Sequence, residues 1–418
     1  MKKRRAVCAI LCACALAASA QTAAETSAPS PVAPPAAPAL PAQPAGNLTS
    51  GHYSITWPEG FSGIEPVADY FNASWNAFNE VFRFESAGPA GLGRTCRVLI
   101  FANKEAFDEY IRARIGETRT GCIFLKYARP ELSELVILGA PVPGPALNRQ
   151  LFLQYIYSFV SEPPVWIRDG FQAWFEQLVP DAESGVLVRE ASSAWLESAK
   201  NLQSDSLRKL NVLEILNAET GTVDSSRLYP QAWAFVAFLL STENPEYQRF
   251  LYESCILLKG EGAFNAAAQK ENTTRIAERF SRFYSAEKTD ADFTAWLAGQ
   301  KTFNELLQEG VTAYNGGKYP EAREALLDAG QVRSDDPLLV YYLGLVSYAE
   351  KKYREADEWY KKALAYGGES STVNWALGLN AAADKRYAEA RTYLEAARTA
   401  NPARYGEKAA RLISSLPK

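Results

Sequence analysis

At 418 residues the chain is longer than one hydrophobic core usually organises, so two folded units and some non-globular sequence are expected. A hydrophobic content of 47% with 22% charged residues fits a soluble globular protein. The net charge of -4 gives no electrostatic ground for a nucleic-acid or acidic-membrane partner.

Residues 1–20, MKKRRAVCAILCACALAASA, join a basic run to a short apolar stretch and to Ala18-Ser19-Ala20 ahead of Gln21, the pattern of an export signal cut at small residues. A lipid anchor on Cys14 is the alternative, because Leu11-Cys12-Ala13-Cys14 resembles a bacterial lipobox. No other run approaches the roughly 20 apolar residues that span a bilayer. Residues 21–50 are nearly all Ala, Pro, Ser and Thr and have too little to bury to offset their ordering entropy, so they read as a disordered tether. Beyond the signal the cysteines are Cys96, Cys122 and Cys255. Cys96 and Cys122 each open a predicted strand and form the expected disulfide pair in an oxidising compartment; the alternative is three small buried apolar residues.

From residue 51 to 300 the pattern is globular. HYSITW alternates as a strand, and Ile64, Val67, Phe71, Trp75, Phe78 and Phe82 share one helical face. CRVLIF, CIFLKY and ELVILG read as strands and FDEYIRARI as a helix. After residue 145 no strand signal persists, and helical stretches follow at LNRQLFLQYIYSFV, VWIRDGFQAWFEQL, REASSAWLESAKNL, YPQAWAFVAFLLST, PEYQRFLYESCILL and TRIAERFSRFYS. Strands first and helices after predict an α+β domain with a small mixed sheet.

The remainder repeats itself. A 34-residue shift brings Gly310, Gly344 and Gly378 into register, and with them Lys318, Lys352 and Arg386; Tyr319, Tyr353 and Tyr387; Glu321, Glu355 and Glu389; Ala322, Ala356 and Ala390; and Ala329, Ala363 and Ala397. This pattern resembles the tetratricopeptide repeat, which implies an all-α superhelix of three repeats over 301–404 and a capping helix over 405–418. Such a superhelix offers a groove to a peptide or partner helix, and Tyr314, Tyr341, Tyr348 and Trp375 are the expected partner-binding side chains. The alternative for each is packing between repeats.

PPVWIRDGFQAWFE and YPQAWAFVAFLL, with the strand order ahead of them, resemble the thermolysin-like metallopeptidases of the peptidase MA group over roughly residues 52–298. That resemblance implies a His-Glu-x-x-His helix just before, whose imidazoles take zinc and whose glutamate activates water, with a third ligand at the position of Asp169. The preceding helix, LNRQLFLQYIYSFVS, contains no His, Asp or Glu, and every register onto Asn148, Arg149 or Gln150 and a partner four residues on fails. The one histidine of the chain is His52. Zinc hydrolysis is therefore excluded and no metal or cofactor is expected. Asp169 reads as a vestigial ligand position whose present role is to cap a helix beginning at Gly170.

A peptidase fold stripped of its zinc ligands can keep a cleft in which a peptide lies along the sheet edge, or the cleft can be filled. The combined reading is an exported, non-catalytic interaction scaffold in a bacterial envelope complex, periplasmic or envelope-associated. The alternatives are a hydrolase using another site in the inherited cleft and a purely structural spacer.

Overall fold

The computed structural model describes residues 46–87, 95–127, 130–181, 186–189, 193–258 and 265–417. The export signal, Cys14 and the tether up to residue 45 lie outside them. The chain divides into two units after Leu40, and every described residue belongs to the second.

Strands β1 (Gly46–Ser50) and β2 (Tyr53–Trp57) form an antiparallel hairpin. Its two-residue turn takes a positive φ at Gly51 (+53°), the conformation glycine adopts without strain. The last five residues of the stretch read as tether are thus paired as a strand. Leu48 packs on the core from that strand, which is enough to dock a segment whose composition alone reads as disordered. Helices α1 (Ile64–Phe82) and α2 (Phe84–Ala87) lead to β3 (Cys96–Phe101), α3 (Lys104–Ile115), β4 (Cys122–Leu125) and β5 (Glu134–Leu138). The sheet order is β1-β2-β3-β5-β4, with β2, β3 and β5 parallel and both edge strands antiparallel to their neighbours. Alternation along the strands divides the sheet. Tyr53, Ile55, Val98, Ile100, Leu135 and Ile137 join α1 in the main core. Leu99, Phe101, Leu125 and Val136 pack on Phe107, Tyr110 and Ile111 of α3.

Helices α4 (Pro145–Tyr157) and α5 (Val165–Phe175) follow, then a hairpin of β6 (Leu178–Pro180) and β7 (Leu187–Arg189) where the sequence shows no strand signal. Its three-residue strands are too short for a visible alternation. The domain continues through α6 (Ser193–Ser204), α7 (Val212–Leu216), α8 (Ser225–Ser241), α9 (Pro245–Leu257), α10 (Ala266–Phe283) and α11 (Ala286–Gly299).

Then come α12 (Phe303–Asn315), α13 (Tyr319–Val332), α14 (Pro337–Ala349), α15 (Tyr353–Ala365), α16 (Ser370–Ala383), α17 (Tyr387–Ala400) and α18 (Pro402–Ser415). These are three antiparallel helix pairs stacked at the 34-residue period and closed by α18. The repeated glycines explain the close pairing: a Cβ on Gly310, Gly344 or Gly378 would lie 2.5, 2.4 or 2.7 Å from Leu326, Tyr360 or Leu394 on the second helix of the same pair. Ala322, Ala356, Ala390, Ala329, Ala363 and Ala397 are all fully buried. The first pair is tied to the preceding domain where Lys200 on α6 meets Glu305 (2.7 Å) and the carbonyl of Gln300 (2.7 Å), and where Asn304 donates to Glu197 (2.9 Å).

The turn inside each pair places one residue in the left-handed region: Gly317 (φ +73°), Lys351 (+61°) and Lys385 (+61°). A side chain there costs about 1–2 kcal/mol that glycine avoids. Replacing Lys351 or Lys385 by glycine is expected to raise stability by about 0.5–1 kcal/mol after glycine's larger unfolded-state entropy is counted. Urea titration of each variant checks this, and an unchanged or lower midpoint would show that the turns are not strained.

Candidate functional site

Helix α4, on which the peptidase resemblance implied zinc ligands, has its polar side chains bound to the protein itself. Asn148 is fully buried; it accepts from the Tyr70 hydroxyl and donates to the carbonyls of Glu176 (3.1 Å) and Leu178 (2.8 Å). Arg149 is paired with the Glu176 carboxylate, which also takes the Gln177 amide (3.0 Å) and the Trp195 indole. Gln154 donates to the carbonyl of Arg97 on β3 (2.9 Å). Gln150 accepts the backbone N–H of Phe124 at 2.8 Å. Phe124 sits on edge strand β4, so a donor that an incoming strand would use there is occupied by the protein's own side chain.

Asp169 does not cap a helix. It lies in the interior of α5, which starts after Pro164, and is buried against Arg168 in a two-pronged pair (Nε–Oδ1 2.6 Å, Nη2–Oδ2 3.0 Å). Burial works against the Arg168 charge, but Asp169, aided by Tyr157, holds its pKa above the ordinary value. Among the described residues no three His, Cys, Asp or Glu side chains gather as a metal site would require.

A pocket of about 460 Å³ opens beside the starts of β2 and β3, and it draws in the lone histidine. His52 stacks on Trp75 (centroids 4.2 Å, 11° between planes), and its Nε2 lies 3.3 Å from Glu85. The same carboxylate accepts from the Trp75 indole (2.9 Å) and the Asn79 amide (3.0 Å). Cys96 and Ser158 line the pocket too, so an imidazole, a carboxylate, a thiol and a hydroxyl share one space. They are not linked as a catalytic relay. The Ser158 hydroxyl donates to the Gln154 carbonyl (2.7 Å) and lies 3.4 Å from the Cys96 sulfur, while burial pushes the Cys96 thiol up to about 12. A thiol so placed stays protonated at neutral pH and is a poor nucleophile. Of these groups His52 and Cys96 are marked by the sequence, the one as the lone histidine and the other as a candidate for a disulfide. Glu85, far along the chain and in an unremarkable FESA turn, has no pattern to reveal it.

The expected Cys96–Cys122 bridge is corrected: Cys96, Cys122 and Cys255 are all free thiols. Strand β5 lies between β3 and β4. Arg97 faces Glu134 whereas Cys122 faces Ile137, so the two cysteines sit near opposite ends of the shared neighbour. Two strand spacings of ~4.8 Å and a further offset of ~3.3 Å per residue put them beyond the roughly 7 Å reach of a disulfide.

In the repeats, the first helices α12, α14, α16 and α18 contact one another in turn, and more closely than the second helices do. Tyr314, Tyr341, Tyr348 and Trp375 all lie on first helices and are half-buried. Their rings also make internal contacts. Tyr314 meets Tyr319 and Tyr342 (5.9 and 5.7 Å), Tyr341 meets Tyr342 and Tyr360 (5.9 and 5.8 Å), Tyr348 meets Tyr353 (6.0 Å), and Trp375 stacks on Tyr405 (5.3 Å). Burial pushes the Tyr341 hydroxyl up to about 12, with Tyr405 and Tyr314 adding to it. Tyr405 is the contributor that sequence reading missed. Extending the 34-residue register once more, past Pro402, places α18 where a fourth first helix would stand, and that signal was available.

No protein-family description matches this chain, and no curated protein does. Among solved structures, the first TPR of Spaghetti (RPAP3) bound to HSP90 peptide SRMEEVD is similar over 27% of this chain and 89% of its own, with 18% identity and a TM-score of 0.26. A likeness at that level leaves the description of the repeats to the helix pairing above.

Proposed function

We propose that this protein is an exported, non-catalytic interaction scaffold in which a tetratricopeptide-type groove takes up an uncharged, apolar or aromatic peptide segment of a partner. The observation that carries the reading is the set of half-buried rings Tyr314, Tyr341, Tyr348 and Trp375 on the first helices, which contact one another in turn. Leu345 and Leu379 lie half-buried on the same helices. Aromatic groups lose little side-chain entropy on binding and bury large area, which suits them to anchor a partner. None of these six positions is basic, and Arg404, whose guanidinium lies 5.2 Å from the Tyr405 ring, is paired with Glu369 (3.5 Å). The basic run and the alanine cleavage site of residues 1–20 support export and an envelope location.

The strand-then-helix order and the PPVWIRDG stretch support descent of the first domain from a zinc-peptidase scaffold. In that reading α4 keeps its place while its polar residues serve packing, and Gln150 closes the edge strand at Phe124. A hydrolase built on the His52 imidazole would need Cys96 or Ser158 bonded to it, whereas these two lie against each other and the Ser158 hydroxyl is given to the Gln154 carbonyl.

Selection from a displayed peptide library tests the groove. Wild-type protein is expected to enrich apolar and aromatic sequences, and Tyr341→Ala with Trp375→Ala is expected to weaken a selected peptide by at least 30-fold, about 2 kcal/mol. Circular dichroism of the double variant controls for folding. Enrichment of acidic peptides, or equal binding by the double variant, would overturn the proposal.

A further inference from the structure

We propose that the pocket beside the starts of β2 and β3 is a binding site for an uncharged planar aromatic group carrying one hydrogen-bond donor, the chemistry of an indole N–H or a phenol O–H. It is independent of the repeat groove. At about 460 Å³ it is within the usual size of small-ligand sites. Its walls are ring-rich: the His52–Trp75 stack, Phe159, and the Phe124–Tyr157 pair whose centroids lie 6.0 Å apart at 20°. Such surfaces favour a flat apolar guest in offset or edge contact.

The polar lining defines the rest. Gln154 is 2% exposed, and its amide nitrogen is held by the Arg97 carbonyl at 2.9 Å, which fixes the orientation of the amide. Its Oε1 is then a buried acceptor that no protein donor meets. The neighbouring groups are already engaged. The Ser158 hydroxyl is given to the Gln154 carbonyl, and Glu85 takes donors from Trp75 and Asn79 and lies 3.3 Å from the His52 Nε2. One acceptor is therefore left unpaired on a residue of the pocket wall, and a guest whose donor reaches it as the wall adjusts relieves that loss. No lysine or arginine occurs among the described residues that line the pocket, so nothing there calls for an anion.

The donor-bearing ring can belong to a free small molecule or to a tryptophan or tyrosine side chain of a peptide. Calorimetric titration of the full chain with indole, 1-methylindole and N-acetyltryptophanamide distinguishes these. Indole is expected to saturate one site at millimolar concentration, and 1-methylindole, which lacks the N–H, to bind about tenfold more weakly. Gln154→Leu is expected to abolish that preference, and Phe124→Ala to weaken both ligands. N-acetyltryptophanamide matching or exceeding indole assigns the site to a peptide side chain, and its exclusion assigns it to a free aromatic. Absence of saturable indole binding, or equal binding of indole and 1-methylindole to the wild-type protein, overturns the proposal whether or not the variants fold.

Discussion

Replacing Asp169 by alanine is expected to destabilise the first domain by about 3–5 kcal/mol, the cost of removing one partner from a buried pair and leaving the other charge uncompensated. The Asp169 side chain is 3% exposed and that of Arg168 18%, so the stranded guanidinium would have little access to water. Removing both partners should be milder than the two single losses added together. In a cycle of Asp169→Ala, Arg168→Ala and the double variant, urea titration should return a coupling well above the few tenths of a kcal/mol seen between independent sites. Chelators should leave the wild-type unfolding midpoint unchanged. If Asp169→Ala costs less than about 1 kcal/mol and instead releases a bound transition metal, the pairing is not what the aspartate is for.

That aspartate also shows where sequence reading stops. An Asp-Gly step ahead of aromatic residues looks like a helix start, and the local pattern holds nothing against it. The better signal is Pro163-Pro164, because proline ends the preceding segment and fits the first position of the next helix, and α5 does begin at Val165. The repeats are legible because their defining feature is local and repeated: a missing side chain at Gly310, Gly344 and Gly378 wherever a helix pair closes. The sheet strands are legible wherever alternation runs over several residues, as in CRVLIF. Strand β1 is not, since a Pro/Ala-rich prefix masks GNLTS and Leu48 is its single apolar contact with the core. Helix α11 escapes sequence reading although Phe293 and Leu297 form a buried pair at i, i+4, because acidic and small residues surround them. The pocket is least legible of all. Trp75 announces itself as core, and the coincidence of His52 with Glu85 and of Gln154 with Arg97 depends on how α1 and α4 cross the sheet, which no spacing encodes.

Gly170→Ala is expected to destabilise the protein by about 2–4 kcal/mol, although the same change at an unobstructed helical site stabilises by up to about 1 kcal/mol. The obstruction is backbone. A Cβ at this position would lie 2.7 Å from the Ala232 carbonyl oxygen, 3.0 Å from its carbon and 2.9 Å from a methyl of Val236, all on α8. Ala232 and Val236 are fully buried, so α8 cannot yield without pulling its packed side chains off the core. Gly406 is the matched control. It lies inside α18, and a methyl group added there would meet nothing within 4 Å, so Gly406→Ala should raise stability by about 0.5–1 kcal/mol in the same urea titration. Opposite signs for one chemical change would separate steric approach from helix propensity. They would also explain the stretch VWIRDGF without chemistry: its arginine and aspartate hold each other beneath the surface, and its glycine lets α5 and α8 meet. Should both variants gain stability, α5 and α8 can part, and the glycine is dispensable to the scaffold.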